Sequence, residues 1–239
     1  MAIRGSALGG TDWGNEGLTY TDLNDTFNAL TNKVQTLTTF WLNSDLYEVY
    51  DDFESYSTGN FETNAKWDIT ITLTSGGTGN YGTSTIESST AAGGTGKELK
   101  LFAYGNYQYS GYRNATVTAV SNDLPSNKHV FTRLYYGNNN ARWASNSVIQ
   151  VGLNSYQTIY QIPSNVDSQV SYPFVNSLLL VIAKGGNYYD VYVGGKLIQS
   201  NVYTTSPQLQ FRVFSQSGNS TGSRSQLHID DVRISKGSV

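Results

Sequence analysis

The feature that most constrains the fold is an alternation of apolar and polar residues that runs from about residue 48 to the end of the chain. Short segments with this period of two are separated by turn residues, a pattern typical of β-strands with one buried face. The predicted strands span 48–54, 67–73, 98–103, 107–119, 128–136, 148–153, 157–162, 178–184, 188–193, 196–199, 208–214 and 226–234. Because no helical pattern separates them, they predict a mostly β chain folded as an antiparallel β-sandwich.

Three segments of this region carry further predictions. Leu178 to Ile182 is a continuous apolar run, which predicts a central strand covered on both faces. Gly194-Gly195, between YYDVYV and KLI, predicts a two-residue hairpin, because glycine adopts the positive φ angles that such a turn requires. Residues 74–96 are rich in glycine, serine and threonine, and we expect an exposed loop or a mobile hairpin there.

A heptad-like stripe precedes the predicted strands, in the segment Thr21 to Leu42. Its apolar residues follow one another at intervals of four and three, as the a and d positions of a coiled coil do: Leu23, Phe27, Leu30, Val34, Leu37 and Trp41. The stripe predicts a short, self-associating, coiled-coil-like helix over residues 21–43, and its large aromatic side chains favour a trimer over a dimer. The alternative, an amphipathic helix that packs on the chain's own β domain, stays open.

Residues 1–20 form a glycine-rich arm with a single tryptophan, Trp13. Five glycines in so short a stretch disfavour an autonomous element and predict an extended conformation. Trp13 and Leu18 are the candidate anchoring residues, which would dock into a pocket on another subunit; a floppy tail is the alternative. The predicted organisation is therefore an anchoring arm (1–20), an oligomerising helix (21–43) and a β head (44–239).

Composition excludes several classes of function. The formal net charge is −3 and no basic run occurs, so nucleic acid is not an expected partner. The absence of cysteine excludes disulfides and thiolate metal sites. The longest apolar run, residues 178–183, is too short to span a bilayer, and the first residues lack the apolar stretch of a secretory signal, so we expect no membrane insertion.

Two parts of the chain resemble known families. DDFESY at 51–56, NYYDVYVGGKLI at 187–198 and QLHIDDVRIS at 226–235 resemble concanavalin A-like domains of the lectin or laminin-G type. This resemblance implies a jelly-roll head whose last strand pairs close to its first. GTDWGNEGLTYTDLNDTFNAL at 10–30 is similar to the leading segments of tail-fibre and related appendage proteins of bacteriophages and other prokaryotic viruses. It implies a virion surface protein, on the tail or the capsid, whose arm and helix attach to other virion proteins.

The acidic residues do not favour an enzyme. Jelly-roll glycosidases of the laminarinase type carry an E-x-D-x-x-E strand, and no such spacing occurs in this chain. The two histidines, His129 and His228, lie far apart and have no nucleophile elbow or HExxH context. We therefore expect no catalysis, and a glycan-degrading enzyme is the least favoured of the alternatives.

Calcium is the one cofactor that the jelly-roll resemblance implies, because such domains often hold a structural ion where their terminal strands meet. The candidate oxygen ligands are acids near the two ends of the head: Asp51, Asp52, Glu54, Asp230 and Asp231. They would converge if the first and last strands are neighbours. Ordinary solvated acids at a sheet edge are the alternative.

Host cell-surface glycan is the candidate external ligand. A sugar ring stacks its apolar face on tyrosine or tryptophan while amides bond its hydroxyls, and two segments, at 104–112 and 135–143, combine these residue types. The candidates are Tyr104, Tyr107, Tyr109, Tyr112, Tyr135, Tyr136, Asn138 and Trp143. The alternative is that these tyrosines are half-buried cross-strand neighbours or subunit contacts. In that case the protein is a structural decoration of the particle without a ligand.

Overall fold

The computed structural model describes residues 46–74, 79–93, 96–105, 107–108, 111–141, 146–162, 170–217 and 223–238. The chain divides into two units, Met1–Tyr47 and Glu48–Val239. The predicted arm with Trp13 and Leu18, and the predicted helix with its stripe from Leu23 to Trp41, lie outside the described residues. Those predictions therefore stay predictions.

The described part of the chain is mostly β, with antiparallel strands and no helix, as the alternation predicts. It accordingly contains no helix able to cross a membrane. The strands are β1 (Tyr47–Asp51), β2 (Gly59–Asn60), β3 (Trp67–Leu73), β4 (Tyr81–Ser88), β5 (Lys97–Gly105), β6 (Tyr107–Gln108), β7 (Gly111–Ser121), β8 (Val130–Ala141), β9 (Asn146–Leu153), β10 (Gln157–Ile162), β11 (Val170–Ala183), β12 (Tyr188–Val193), β13 (Lys196–Tyr203), β14 (Leu209–Ser217) and β15 (Ser223–Ser235).

These strands form two sheets. The larger sheet has the order β13-β12-β11-β8-β15-β5-β4-β2, and the smaller sheet has the order β10-β9-β14-β7-β3. In addition, β1 pairs with β15 in the larger sheet and β6 pairs with β7 in the smaller one. The first and last strands are thus neighbours, which places the segments at the two ends of the head side by side.

The core lies between the two sheets and consists of the alternate apolar residues of both. Three strands contribute fully buried triplets: Leu99, Leu101 and Ala103 in β5, Ile149, Val151 and Leu153 in β9, and Leu209, Phe211 and Val213 in β14. Because the intervening residues of each strand face away from the core, one side of each sheet is buried and the other meets solvent. This arrangement confirms the predicted β-sandwich.

The hairpin prediction is confirmed, since Gly194 and Gly195 join β12 to β13 with φ angles of 56° and 79°. The prediction for Leu178 to Ile182 is partly wrong. β11 is central, between β12 and β8, but only Leu179 and Val181 are buried, whereas the other three residues are half-buried. The reason is that the outward side of the larger sheet is only partly covered at this strand.

Of the two alternatives predicted for residues 74–96, an exposed loop or a mobile hairpin, the loop is wrong for the central part, which forms a strand paired with β5. β4 pairs with β5 at eight successive positions, from Tyr81 to Ser88. Ile86 and Ser84 are buried, and an added Cβ at Gly82 would lie 2.5 Å from a Val117 methyl. Small residues occupy the core side of β4 because it passes close to the opposite sheet, so the strand lacks the apolar residues that would reveal it in the sequence.

Candidate functional site

The solvent-facing side of the larger sheet, which we term the outer face, carries the candidate functional residues. On β15, residues Arg224, Gln226 and His228 alternate with buried neighbours and therefore point away from the core. Gln226 is in register with Phe102 of β5, and Arg224 with Tyr104 of the same strand. His228 is in register with Tyr135 of β8. The outer face thus combines aromatic and polar side chains in rows that cross three adjacent strands.

Three aromatic rings form a patch on one part of the outer face: Tyr81, Phe102 and Tyr104, the aromatic patch. The centroid of the Tyr81 ring lies 5.6 Å from that of Phe102 and 5.1 Å from that of Tyr104. Tyr81 is 47% exposed, and the other two rings are half-buried. Partly exposed rings of this kind offer an apolar surface to a ligand while their edges stay hydrated.

Two cations lie over rings of the aromatic patch. The guanidinium carbon of Arg224 lies 5.6 Å from the centroid of the Tyr104 ring, and Nζ of Lys100 lies 5.9 Å from that of Phe102. Both distances fall within the range of cation–π interactions. These contacts place hydrogen-bond donors on the patch itself, so a ligand there meets polar groups as well as aromatic surface.

A second pair of rings lies on the other side of β15. Tyr135 and Phe174 stack with centroids 4.9 Å apart and an angle of 24° between their planes. Phe174 lies directly over Gly137, where an added Cβ would come within 2.9 Å of the phenylalanine ring. Gly137 is in register with Gln226. The half-buried Gln226 amide therefore lies between Phe102 and the Tyr135–Phe174 pair.

A buried ion pair lies farther along β15. Nδ1 of His228 is 2.5 Å from Oε1 of Glu98, and Oε2 of Glu98 accepts a hydrogen bond from the backbone N–H of Ala92 at 3.0 Å. Burial raises the pKa of Glu98, but hydrogen bonds from His228, Ser89 and the Ala92 backbone outweigh it and lower the pKa overall. The pair attaches the β4–β5 connection to the outer face.

A polar cleft with a volume of about 260 Å³ opens beyond this ion pair. It is lined by residues from β8, from β15, from the turn after β1 and from the β4–β5 connection: Asp52, Glu54, Gly93, Arg133, Asp230, Asp231 and Arg233. We call it the acid–arginine cleft. A register shift between Asp230 and Arg233, with Asp231 at a φ angle of 57°, lets two consecutive acids line the same cleft.

The two acids of β15 differ in their environment. Asp231 accepts hydrogen bonds from Nε of Arg133 at 3.1 Å and from Nε of Arg233 at 2.5 Å. Asp230 is 2% exposed, and its Oδ2 atom has no hydrogen-bond partner among the described residues. Burial raises the pKa of Asp230 to about 7. The nearby carboxylates of Asp231 and Glu98 add to this rise, and the Arg133 guanidinium opposes it.

The structure brings four of the five predicted calcium ligands to this cleft and leaves the fifth outside it. Asp51 is 2% exposed, and its carboxylate accepts hydrogen bonds from the Phe53 backbone, the Tyr56 hydroxyl and the Trp67 indole. It therefore supports the core and does not line the cleft. In the part of the chain that the structure describes, no three acids, histidines or cysteines are grouped so as to hold a metal ion. The calcium site stays a prediction.

The predicted glycan-binding residues have different outcomes. Tyr135 lies on the outer face, but Tyr136 is 7% exposed and packs in the core against Tyr160, so the prediction for Tyr136 is wrong. Adjacent residues of a strand face opposite sides, and only one of the two can reach a ligand. For three residues the structure describes only the backbone, within β6, β7 and β8: Tyr107, Tyr112 and Asn138. Tyr109 and Trp143 lie outside the described residues.

Sequence reasoning missed Tyr81, Phe102 and Phe174. The signal for Phe102 is present in the sequence, because Phe102 and Tyr104 alternate with the apolar residues Leu101 and Ala103 in a single strand. Tyr81 gives no such signal, since the strand that carries it is itself hidden among glycine, serine and threonine.

Comparisons with known proteins place the chain in no family. No protein-family model matches it, and no curated protein is significantly similar in sequence. Three solved structures illustrate the neighbours that a structural comparison finds. TmCBM61, solved in complex with β-1,4-galactotriose, is 6% identical with a TM-score of 0.29, over 70% of this chain and 86% of that one. The Emp47p carbohydrate recognition domain is 12% identical with a TM-score of 0.29, over 79% and 96%.

The third neighbour is the enzymatically active domain of bacteriophage CBA120 tailspike protein 4. It is 14% identical with a TM-score of 0.31, over 78% of this chain and 21% of that one. All three TM-scores are below 0.5.

Proposed function

We propose that the β-sandwich is a non-enzymatic head that binds glycans through the aromatic patch on the outer face of its larger sheet. The observation that carries this proposal is a set of three partly exposed rings, in which Tyr81 contacts both Phe102 and Tyr104 and a cation lies over each of the latter two. A pyranose ring presents an apolar face to such rings, and its hydroxyls accept hydrogen bonds from Arg224 and Lys100.

The extent of the outer face supports a chain of sugars as the ligand. Gln226 supplies an amide beside the patch, and Tyr135 and Phe174 supply a second pair of rings across β15. The row from Tyr81 to Phe174 crosses the strands β4, β5, β15, β8 and β11, which corresponds to about 19 Å at the usual spacing of neighbouring strands. This distance accommodates several linked sugar rings and exceeds the size of one.

The setting of the head belongs to the same proposal and rests on the sequence patterns alone. The head is a concanavalin A-like jelly roll that a glycine-rich arm and a trimerising helix attach to a virion, on its tail or capsid. In this setting the glycan is a component of the host cell surface, and the head serves adhesion. A structural decoration protein would keep the arm and the helix and would need no ligand.

The test uses the full chain, labelled with a fluorophore, on an array of bacterial and eukaryotic glycans. We expect the wild type to bind a group of related glycans and the double variant Tyr81→Ala/Tyr104→Ala to lose at least about tenfold in affinity. The matched control is Tyr188→Ala/Tyr203→Ala, which removes another exposed tyrosine pair from β12 and β13, near the opposite edge of the same sheet.

The outcomes separate the candidate functions. Retention of binding in the control and its loss in the patch variant support the proposal. Absence of binding to every glycan, together with normal assembly of the protein into particles, would leave the structural decoration as the better account. Equal effects of the two double variants would show that binding does not use the aromatic patch.

A further inference from the structure

The acid–arginine cleft has the features of a second binding site, separate from the aromatic patch. Asp230 lines the cleft, is 2% exposed, and carries an oxygen without a partner among the described residues. Burying a polar atom without a hydrogen bond is costly, so a residue that carries such an atom and lines a cleft is a candidate to bind a ligand there. The cleft therefore contains, besides its cluster of acids, a carboxylate oxygen on Asp230 that no described residue satisfies, which indicates a ligand.

Two fixed guanidinium groups supply donors to the same cleft. Arg133 and Arg233 both bind Asp231 through Nε, and their side chains are 22% and 23% exposed. Because Nε is the atom engaged, the terminal nitrogens of each guanidinium remain for other acceptors. Gly93 borders the cleft beside Nη1 of Arg133, and its φ angle of 87° disfavours residues with a side chain that would narrow the opening.

The charges of the cleft select against strongly charged ligands. Four carboxyl groups and two guanidinium groups line it, so a ligand with its own carboxylate would be repelled by Asp52 and Glu54 at the rim. A small cation would meet Arg133 and Arg233 instead. A neutral hydroxyl group both donates and accepts hydrogen bonds and therefore suits a wall that offers both partners.

The size of the cleft limits the ligand to a small group. Pockets for drug-sized ligands usually have volumes of about 300–1,000 Å³, whereas this cleft has about 260 Å³. One sugar residue, with several hydroxyls at fixed positions on one ring, is a ligand of the appropriate size and polarity.

We propose that the acid–arginine cleft binds two adjacent hydroxyl groups of a single neutral sugar residue. One hydroxyl is hydrogen-bonded to Oδ2 of Asp230, and the neighbouring hydroxyl accepts from the terminal nitrogens of Arg133 or Arg233. This inference rests on the proposed glycan-binding function and adds to it a second, polar subsite. The aromatic patch holds a sugar by stacking, and the cleft holds one by hydrogen bonds.

The test follows assigned NMR signals of the ¹⁵N-labelled full chain during titration with the methyl glycosides of glucose, galactose, mannose and fucose. Parallel titrations use N-acetylneuraminic acid and calcium chloride. We expect at least one neutral glycoside to shift the Nε–H signals of Arg133 and Arg233 and the amide signal of Gly93. Asp230→Ala should weaken this response at least about tenfold, since it removes the acceptor.

Two further variants control for altered folding. Arg233→Lys keeps the charge and loses the planar fork of donors, so it should also weaken the response. Asp190 lies on β12 and pairs with Lys184. The variant Asp190→Ala should therefore leave the response of the cleft unchanged. A weakened response in Asp190→Ala equal to that in Asp230→Ala would contradict the inference.

The outcomes also distinguish this inference from the proposed function. Shifts confined to the aromatic patch would overturn the inference and leave glycan binding by the head intact. Absence of shifts at both places, with every glycoside, would overturn both. A response of the cleft to calcium alone, or a tighter response to N-acetylneuraminic acid than to every neutral glycoside, would overturn the assignment of a neutral sugar.

Discussion

Oε1 of Glu98 lies 2.5 Å from Nδ1 of His228, and the two side chains are 0% and 7% exposed. This pair lies on the outer face between the two candidate sites, because Gln226 precedes His228 on β15 and Asp230 follows it. Glu98 also holds the backbone of Ala92, next to Gly93 of the acid–arginine cleft. The pair therefore links the sheet that carries the aromatic patch to the connection that shapes the cleft.

Replacement of His228 by phenylalanine should strongly destabilise the head. The substitution leaves the carboxylate of Glu98 buried without its ionic partner, and losses of this kind are about 3–5 kcal/mol. The double variant Glu98→Gln/His228→Phe should recover part of the loss, since the buried charge is then absent. Chemical denaturation followed by circular dichroism measures both. A loss below about 1 kcal/mol for His228→Phe would show that the ion pair has no such role.

Asp230 should make the head less stable as the pH rises from about 4 to about 7. Its pKa in the folded protein, about 7, is above its ordinary value, so over this interval the folded state keeps a proton that the unfolded state has lost. The stabilisation is complete below the pKa that the Asp230 carboxyl has in the unfolded chain. It is lost as the pH rises through the pKa of the same carboxyl in the folded protein. A difference of about three units between the two pKa values changes the free energy of unfolding by about 4 kcal/mol at most.

Asp230→Asn tests this expectation. Relative to the wild type, the variant should gain stability at about pH 8 by up to a few kcal/mol and gain little at about pH 4. Denaturant titrations at the two pH values give the comparison. A variant less stable than the wild type at the higher pH would contradict the assignment of a raised pKa to this residue.

Gly105→Ala should destabilise the sandwich by about 1–3 kcal/mol, the usual cost of overpacking. The two sheets approach closely at this point, where an added Cβ would lie 2.6 Å from the backbone oxygen of Ser215. Gly237→Ala is the matched control, because among the described residues no atom beyond its chain neighbours lies within 4 Å of its added Cβ. Thermal unfolding gives the midpoint temperatures of the two variants. Equal midpoints for the two variants would mean that the close approach of the sheets is not required.

The heptad stripe supports a prediction about assembly. If Leu30 and Leu37 are shared between three copies of the chain, the variant Leu30→Ser/Leu37→Ser should dissociate, because each buried leucine contributes about 1.5–3 kcal/mol. Light scattering should give a trimer for the full chain and a monomer both for this variant and for residues 45–239. A monomeric full chain would instead favour a helix that packs on its own β domain.

The sequence reveals the sandwich well because its core strands alternate clearly. β9 and β14 each place three apolar residues at alternate positions, and Gly194-Gly195 marks the hairpin between β12 and β13. β4 escapes detection, since only Ile86 among its core-facing residues is large and apolar. A strand is recognised in the sequence by large apolar side chains at alternate positions. A strand whose backbone lies close to the opposite sheet has no room for such side chains on its core side.

The sites are less accessible to sequence reasoning than the fold. Tyr135 and Tyr136 are adjacent, and only the register of β8 decides which of them faces outward. The cleft depends on the positive φ angle of Asp231, which turns two successive acids to one side, and on Arg133, which is 98 residues away in the chain. The jelly-roll resemblance and the acids near the two ends of the head predict calcium, because nothing in the sequence shows that Arg133 lies among those acids.

A crystal structure of the full chain with the glycan that binds most tightly on the array tests the central claim most directly. We predict a sugar ring stacked on Tyr81 or Tyr104, with ring atoms within about 4 Å of the aromatic carbons. A glycan bound to the smaller sheet, or at the edge formed by β13, with the aromatic patch unoccupied, would contradict the account.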